Sequence, residues 1–293
     1  MIYHDACVAL HADPEGRGRF IVVGDIHGRM DLLMRLVRLI GYDPFIDRMI
    51  SLGDLVDRGP DSAEAVRWFA GGTLRTALLG NHDAMLLASE FDGRAAKIWN
   101  HNGGQWSEQH DPFDLNLLRR LVSGFPLSVE LHLANSRKIG LVHAEVRPGA
   151  TWHQVRTAEF HHRDAIDDFS ASIVSSLLWG RQRCHTMRAL SRLAPGVQPD
   201  AEHRPWIARV LRPVRGVDLI ICGHTILPAR EPLRFGSHLF IDTGAYQAPD
   251  GRLTAVDPEA GVYWQVGQQP DEQWGPLALP EPTRAPSGRA LRR

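Results

Sequence analysis

Phe20-Ile21-Val22-Val23-Gly24-Asp25-Ile26-His27-Gly28 is a run of four apolar residues that stops abruptly in glycine, aspartate and histidine. A short apolar run bounded by turn residues reads as a buried strand. The pattern recurs along the chain. Met49-Ile50-Ser51-Leu52 runs into Gly53-Asp54-Leu55-Val56-Asp57-Arg58-Gly59, and Thr76-Ala77-Leu78-Leu79 into Gly80-Asn81-His82-Asp83. Ile139-Gly140-Leu141-Val142 runs into His143-Ala144-Glu145, Leu219-Ile220-Ile221-Cys222 into Gly223-His224-Thr225, and Leu239-Phe240-Ile241 into Asp242-Thr243-Gly244.

Helical patterns separate the first three runs. Met30 to Ile40 places Leu33, Leu36, Val37 and Ile40 on one face, and Asp61 to Ala70 follows Pro60, a good first helical residue. Asp25 and Asp54 are 29 residues apart, and Asp54 and Asn81 are 27 apart. One βαβ unit needs roughly 30. The spacing therefore predicts three adjacent strands with their motifs side by side at the carboxyl ends, where open α/β sheets bind ligands.

The rest of the chain reads differently. Leu127 to Leu131 alternates, and Arg137 to Val142 follows a turn at Asn135-Ser136. His238 to Asp242, Arg252 to Val256 and Gly261 to Val266 read as a meander, with Asp250-Gly251 as a hairpin turn, so a mixed second sheet is expected. Residues 151–216 read as helix and loop and are locally basic, with ten Arg against six acidic residues. From Gln268 onward five prolines fall in 26 residues without periodicity. The expected organisation is one domain over 1–267, with 146–216 as a cap or insert, and a Pro-rich mobile tail over 268–293.

Composition narrows the class. Of 293 residues 43% are hydrophobic and 23% charged, which excludes a mainly disordered chain. The net charge of −1 offers no basic excess for general nucleic-acid binding. Only Lys97 and Lys138 are lysines, so 31 of the 33 basic residues are arginines, whose planar forks suit phosphate. Cys7, Cys184 and Cys222 are odd in number and far apart, which supports neither a disulfide framework nor a thiolate zinc site. The first twenty residues carry His4, Asp5, His11 and Asp13 and do not form a secretory signal. No apolar run approaches the ~20 residues a bilayer requires. The expectation is a cytoplasmic enzyme without membrane or nucleic-acid partners.

Asp25, His27, Asp54, Asn81, His143 and His224 all fall at strand ends, and all offer oxygen or nitrogen. Singly, an aspartate there is more often a turn or helix cap and a histidine a solvated or core residue. Six together, each after its own strand, are hard to explain as caps. The number suits two metals sharing a carboxylate, an arrangement that clamps the attacking and leaving oxygens at phosphorus and activates a bridging water near pH 7. Imidazoles favour Mn, Fe or Zn over Mg alone.

The set GDIHG, GDLVDRG, GNHD, HAE and GHT, in this order, resembles the signature of the PPP-family metallophosphatases of the bacterial and phage serine/threonine type, within the calcineurin-like metallophosphoesterases. The match covers residues 20–90, 137–145 and 217–256, and only patchily 91–135 and 146–216. The resemblance implies a four-layer α/β/β/α sandwich with the dimetal site at the strand carboxyl ends. It implies that Asp25 and His27 bind the first metal, that Asp54 bridges, and that Asn81, His143 and His224 bind the second. By the same resemblance His82 is the general acid, Asp57 the carboxylate that orients it, and Arg58 a phosphate-binding arginine. Leu177-Leu178-Trp179-Gly180-Arg181 resembles the segment carrying a second such arginine, at Arg181, with Arg183 as rival. Asp83 stands where many protein phosphatases have Glu. The roles fit the chemistry: an imidazole can protonate a leaving alkoxide, and a carboxylate on its other nitrogen fixes the tautomer.

Asn102-Gly103-Gly104 with Trp99 and Trp106 resembles a loop of the phage-type members that can wall the site, or is an ordinary turn beside two core tryptophans. Asp242 is placed either behind a metal histidine or as a turn cap. The function expected is dimetal hydrolysis of phosphomonoesters, with phosphoserine, phosphothreonine and by extension phosphotyrosine in proteins, or a small phosphoester, as substrate, and Mn as foremost metal. The rival is a symmetrical bis(5'-nucleosyl)-tetraphosphatase, whose members usually lack the acid-orienting Asp and the Gly-His-Thr motif; Asp57 and Thr225 favour the monoesterase. A cyclic phosphodiesterase or nuclease more often carries Gly-His-x-His, and here Ile226 follows Thr225. A non-catalytic phospho-ligand binding module would be expected to have lost ligands, and all six are present.

Overall fold

A computed structural model describes residues 6–13, 15–166, 172–191 and 199–281. Twelve strands are described: β1 (Cys7–His11), β2 (Phe20–Val23), β3 (Arg48–Ser51), β4 (Arg75–Ala77), β5 (Ser128–His132), β6 (Lys138–Val142), β7 (Leu219–Cys222), β8 (Leu233–Phe235), β9 (His238–Phe240), β10 (Leu253–Asp257), β11 (Val262–Val266) and β12 (Gln273–Ala278). The helices are α1 (Met30–Ile40), α2 (Ser62–Ala70), α3 (Asn81–Ala88), α4 (Gly93–His101), α5 (Pro112–Val122), α6 (Trp152–Arg156), α7 (Ile173–Trp179), α8 (Gln182–Ser191) and α9 (Arg204–Leu211).

The first three apolar runs pair in parallel as β2-β3-β4, with Ile21 opposite Met49 and Ile50 opposite Thr76. They belong to a sheet ordered β12-β11-β10-β2-β3-β4; the other is ordered β1-β5-β6-β7-β9-β8, and both are mixed. Alternation explains why these strands are apolar on both sides. Phe20, Val22, Ile50 and Leu52 meet Val129, Leu141, Ile221 and Ile241 between the sheets. Ile21, Val23 and Met49 face outward to Leu33 and Leu36 of α1 and Val66 of α2. Val142, Ile220 and Cys222 of the other sheet lie in an outer cluster with Trp152 and Leu177. The result is the expected sandwich with helices outside each sheet.

Three expectations change. The connection through Asp250-Gly251 is no hairpin: β9 pairs with β7 and β8, β10 with β2 and β11, so the chain crosses between sheets there. Residues 273–278, assigned to the mobile tail, form edge strand β12 against β11. That strand is largely exposed on both faces and so carries no apolar period, and its Pro276 is tolerated because an edge need not donate on its open side. Trp274 lies under Arg252, whose guanidinium carbon is 4.2 Å from the ring centroid. Residues 282–293 of the expected tail lie outside the described residues. Pro60 precedes α2 by two positions, with Asp61 at the cap.

Candidate active site

The strand ends deliver their motifs to one buried place, and the backbone there is bent in an unusual way. His27, Asp54, Asp57, Arg58 and His224 all have φ between 48° and 74°. Such values are uncommon for residues with a side chain and cluster at functional sites. Gly80 permits a close approach: a Cβ on it would lie 2.2 Å from Asp54 Oδ1 and 2.3 Å from the Asp54 nitrogen. α3 therefore begins against the loop that carries Asp54. Asp83 ties the two together, its carboxylate accepting the N–H groups of Leu55 and Gly80. Burial, with Asp54 nearby, pushes the Asp83 carboxyl up to about 8.

Asp54 is the common member of two buried groups of possible ligands, His27–Asp54–His82 and Asp54–His143–His224, each with donor atoms within 4.8 Å of one another. Asp54 Oδ2 is 3.5 Å from His27 Nε2, and Oδ1 is 3.4 Å from His143 Nε2. Asn81 Oδ1 lies 2.9 Å from both His143 Nε2 and His224 Nδ1. Asp25 sits apart from both groups. Its two oxygens accept the His224 backbone N–H at 3.1 and 2.9 Å, and burial beside Asp242 and Asp54 holds its carboxyl well above the ordinary range.

The protonation pattern fits a cation. His27 Nδ1 and His143 Nδ1 each face a backbone carbonyl, of Val56 and Leu52, at 2.9 Å, and so carry their protons there. Burial lowers the pKa of His27, His143 and His224, which favours neutral rings. His143 Nε2 is then a lone pair pointed at the lone pairs of Asn81 Oδ1. His224 Nε2 is buried without a hydrogen-bond partner. Converging acceptors beside a carboxylate are a divalent-metal site, and nitrogen with oxygen donors suits Mn, Fe or Zn. The carbonyl partners of His27 and His143 fix their tautomers for ligation.

Beside this pocket His82 Nδ1 meets Asp57 Oδ2 at 2.6 Å, both side chains buried. Arg58 spans the gap, donating from Nη1 to His27 Nε2 at 2.7 Å and from Nη2 to His82 Nε2 at 2.8 Å. Its guanidinium lies over Tyr246, 4.4 Å from the ring centroid, and Tyr246 also meets the His27 ring edge-on. No motif marked Tyr246. Asp242 accepts the Gly244 N–H, the turn-cap arrangement, and burial raises its carboxyl to about 6.

Arg181 lies between α7 and α8 and lines a cavity of about 330 Å³ with Glu145, Arg147, Trp179 and His185. Its charge helps depress His143 and His224, and Trp179 packs edge-on against the His224 ring. Its rival Arg183 is committed elsewhere: the side chain is buried and donates to the carbonyls of Val146 and Val210, while its backbone N–H reaches Glu145.

Residues 18–228 match the family model of calcineurin-like phosphoesterases. A serine/threonine-protein phosphatase 2 of Salmonella typhimurium is 28% identical over 77% of this chain and 87% of its own length. A symmetrical bis(5'-nucleosyl)-tetraphosphatase of Aromatoleum aromaticum is 31% identical over 83% of this chain and 95% of its own. Among solved structures, a serine/threonine phosphatase from Saccharomyces cerevisiae shares the fold with a TM-score of 0.56 at 19% identity, covering 95% of this chain and 86% of that one.

Proposed function

The chain belongs to the calcineurin-like phosphoesterase family, and from that premise we propose that it hydrolyses phosphoserine and phosphothreonine in proteins. It is a metal-dependent hydrolase of phosphoric monoesters. The observation that carries the protein-phosphatase reading is the buried His82–Asp57 pair, 2.6 Å apart beside the ligand pocket. A serine alkoxide is a poor leaving group and needs a proton as the P–O bond breaks.

In this proposal Asp25 and His27 would hold one divalent ion, Asn81, His143 and His224 the other, and Asp54 both. The ions, with Mn foremost, would supply Lewis acidity at phosphorus and a nucleophile from water at neutral pH. Arg58 and Arg181 bind phosphate oxygens, Arg58 through a fork that already faces His27 and His82. His82 gives a proton from Nε2 to the leaving oxygen, and Asp57 holds its Nδ1. In the described state Arg58 donates to that same Nε2, which therefore carries no proton; once phosphate has drawn the guanidinium away, Nε2 must first take a proton from solvent before it can pass one to the leaving oxygen. Residues 146–216, of which 167–171 and 192–198 lie outside the described residues, act in this proposal as a substrate-facing cap that carries Arg181.

The second reading is symmetrical dinucleoside-tetraphosphate hydrolysis, favoured by the Aromatoleum relative. A phosphoserine peptide, p-nitrophenyl phosphate and diadenosine tetraphosphate, assayed side by side with Mn, separate the two. The proposal expects kcat/KM on the peptide to exceed that on the dinucleotide; the reverse order establishes the second reading. Among the described residues no helix is long and apolar enough to cross a membrane.

A further inference from the structure

We propose that Trp99 and Trp106 are positioning residues for the acid pair, holding the Asp57 carboxylate through their indole N–H groups so that Asp57 can hold His82. The proposal rests on the acid role of His82 given above. Asp57 is fully buried, and among the described residues its one ion pair is with His82. Arg58, its neighbour in sequence, is turned to His27 and His82 instead. Without further donors Oδ1 would be a bare buried anion, which is costly.

The two indoles supply those donors. Trp99 Nε1 straddles the carboxylate, 3.0 Å from Oδ1 and 3.1 Å from Oδ2. Trp106 Nε1 donates to Oδ1 at 2.7 Å, leaving Oδ2 to His82 Nδ1. The Asp57 N–H is itself fixed on Ser62 Oγ at 2.9 Å. Three N–H groups, those of Trp99, Trp106 and His82, hold the carboxylate, and the indoles take a share of its charge. Phenylalanine would keep an aromatic ring in place with three fewer heavy atoms and no N–H, so packing alone does not call for an indole N–H at both places.

The loop is shaped for this contact. Trp99 is in α4 and Trp106 in the following 3-10 turn, Gly104–Gln109, and the rings meet edge to face at 6.1 Å. Between them Gly103 has φ of 117°, and a Cβ there would stand 3.1 Å from the Arg58 nitrogen and 3.2 Å from Asp57 Cβ. The loop thus lies directly on the backbone of the residues it orients.

Trp106→Phe and Trp99→Phe test the proposal on the Mn-loaded enzyme, with His82→Asn as reference. Either tryptophan variant is expected to lose ~10-fold in kcat on a phosphoserine peptide, the scale of one hydrogen bond to a charged group. KM, metal content and kcat on p-nitrophenyl phosphate should stay within ~2-fold, because p-nitrophenolate leaves with little protonation. In an Asp57→Asn background the same changes should add nothing. Equal losses on both substrates, full additivity with Asp57→Asn, or wild-type kinetics in both tryptophan variants while His82→Asn discriminates between substrates, would each overturn it. If His82→Asn itself does not discriminate, the acid reading fails and this proposal falls with it.

Discussion

His82 Nδ1 and Asp57 Oδ2 stand 2.6 Å apart in a buried place, yet one comes from the first turn of α3 and the other from the loop after β3. The pairing follows from β3 and β4 lying side by side, which brings the loop after β3 against the start of α3. With Asp57 on one nitrogen, the other faces the pocket. His82→Asn is therefore expected to keep both metals and lose ~10²–10⁴-fold in kcat on a phosphoserine peptide, and far less on p-nitrophenyl phosphate. Asp57→Asn should show a milder form of the same pattern. Steady-state kinetics on the two substrates, with metal content measured beside them, decide it; a variant that sheds its metals would show that His82 is a ligand.

Asp54 touches both possible ligand groups, so it is the residue whose loss should damage metal binding most. Asp54→Ala is expected to retain fewer than two ions per chain by elemental analysis, while the isolated Asn81→Ala change leaves every member of both groups in place and should cost less metal. Chelation should abolish activity, and Mn²⁺ should restore it better than Mg²⁺ or Ca²⁺, since His27, His143 and His224 offer imidazole. Full activity after exhaustive dialysis against EDTA would refute the metal mechanism.

What was legible in the sequence was what is local. Met30–Ile40 is the helix its period predicts, and the three parallel strands fall where the 29- and 27-residue spacing puts them. Cys7–His11 and Gln273–Ala278 were missed as strands because both are sheet edges, partly or largely exposed, without a buried face to impose a pattern. The crossing between β9 and β10 was misread because Asp-Gly signals a turn without saying which sheet the chain enters next. In the site, Tyr246 reaches Arg58 from a loop far along the chain, and no local pattern announces such a contact. Trp99 and Trp106 were visible as residues, but only the folded loop shows that both N–H groups point at one carboxylate. Arg181 and Arg183 are two positions apart, and only the structure separates an arginine lining a cavity from one spent on buried carbonyls.

The proposed cap over 146–216 would have a measurable electrostatic signature through its arginines. If they draw in phosphorylated peptides, kcat/KM should fall as salt rises, because the Debye length shrinks from ~10 Å at 0.1 M to ~3 Å at 1 M. The effect should appear in kcat/KM and leave kcat nearly constant, since steering acts on encounter. A flat kcat/KM across that range would remove the cap's proposed role in attraction.

His238 carries a prediction about stability that is separate from the reaction. It is fully buried in β9, accepts the Val146 N–H on Nε2 at 3.2 Å, and contacts Ser237 Oγ through Nδ1 at 3.2 Å. Burial, with the Arg183 charge adding to it, holds its pKa well below 6.5. The unfolded chain therefore takes up a proton near pH 6.5 that the folded chain refuses. Its contribution to stability is complete above pH 6.5 and is lost progressively as the pH falls below it, at up to ~1.4 kcal/mol per pH unit for one proton. His238→Gln keeps an acceptor for Val146 and removes the titration. Urea unfolding between pH 7.5 and 5.5 should give the variant a shallower loss of stability than the native chain, by about that slope. Every other titrating group is the same in both proteins and cancels in the difference. Parallel pH dependences would show that His238 accepts its proton within the fold.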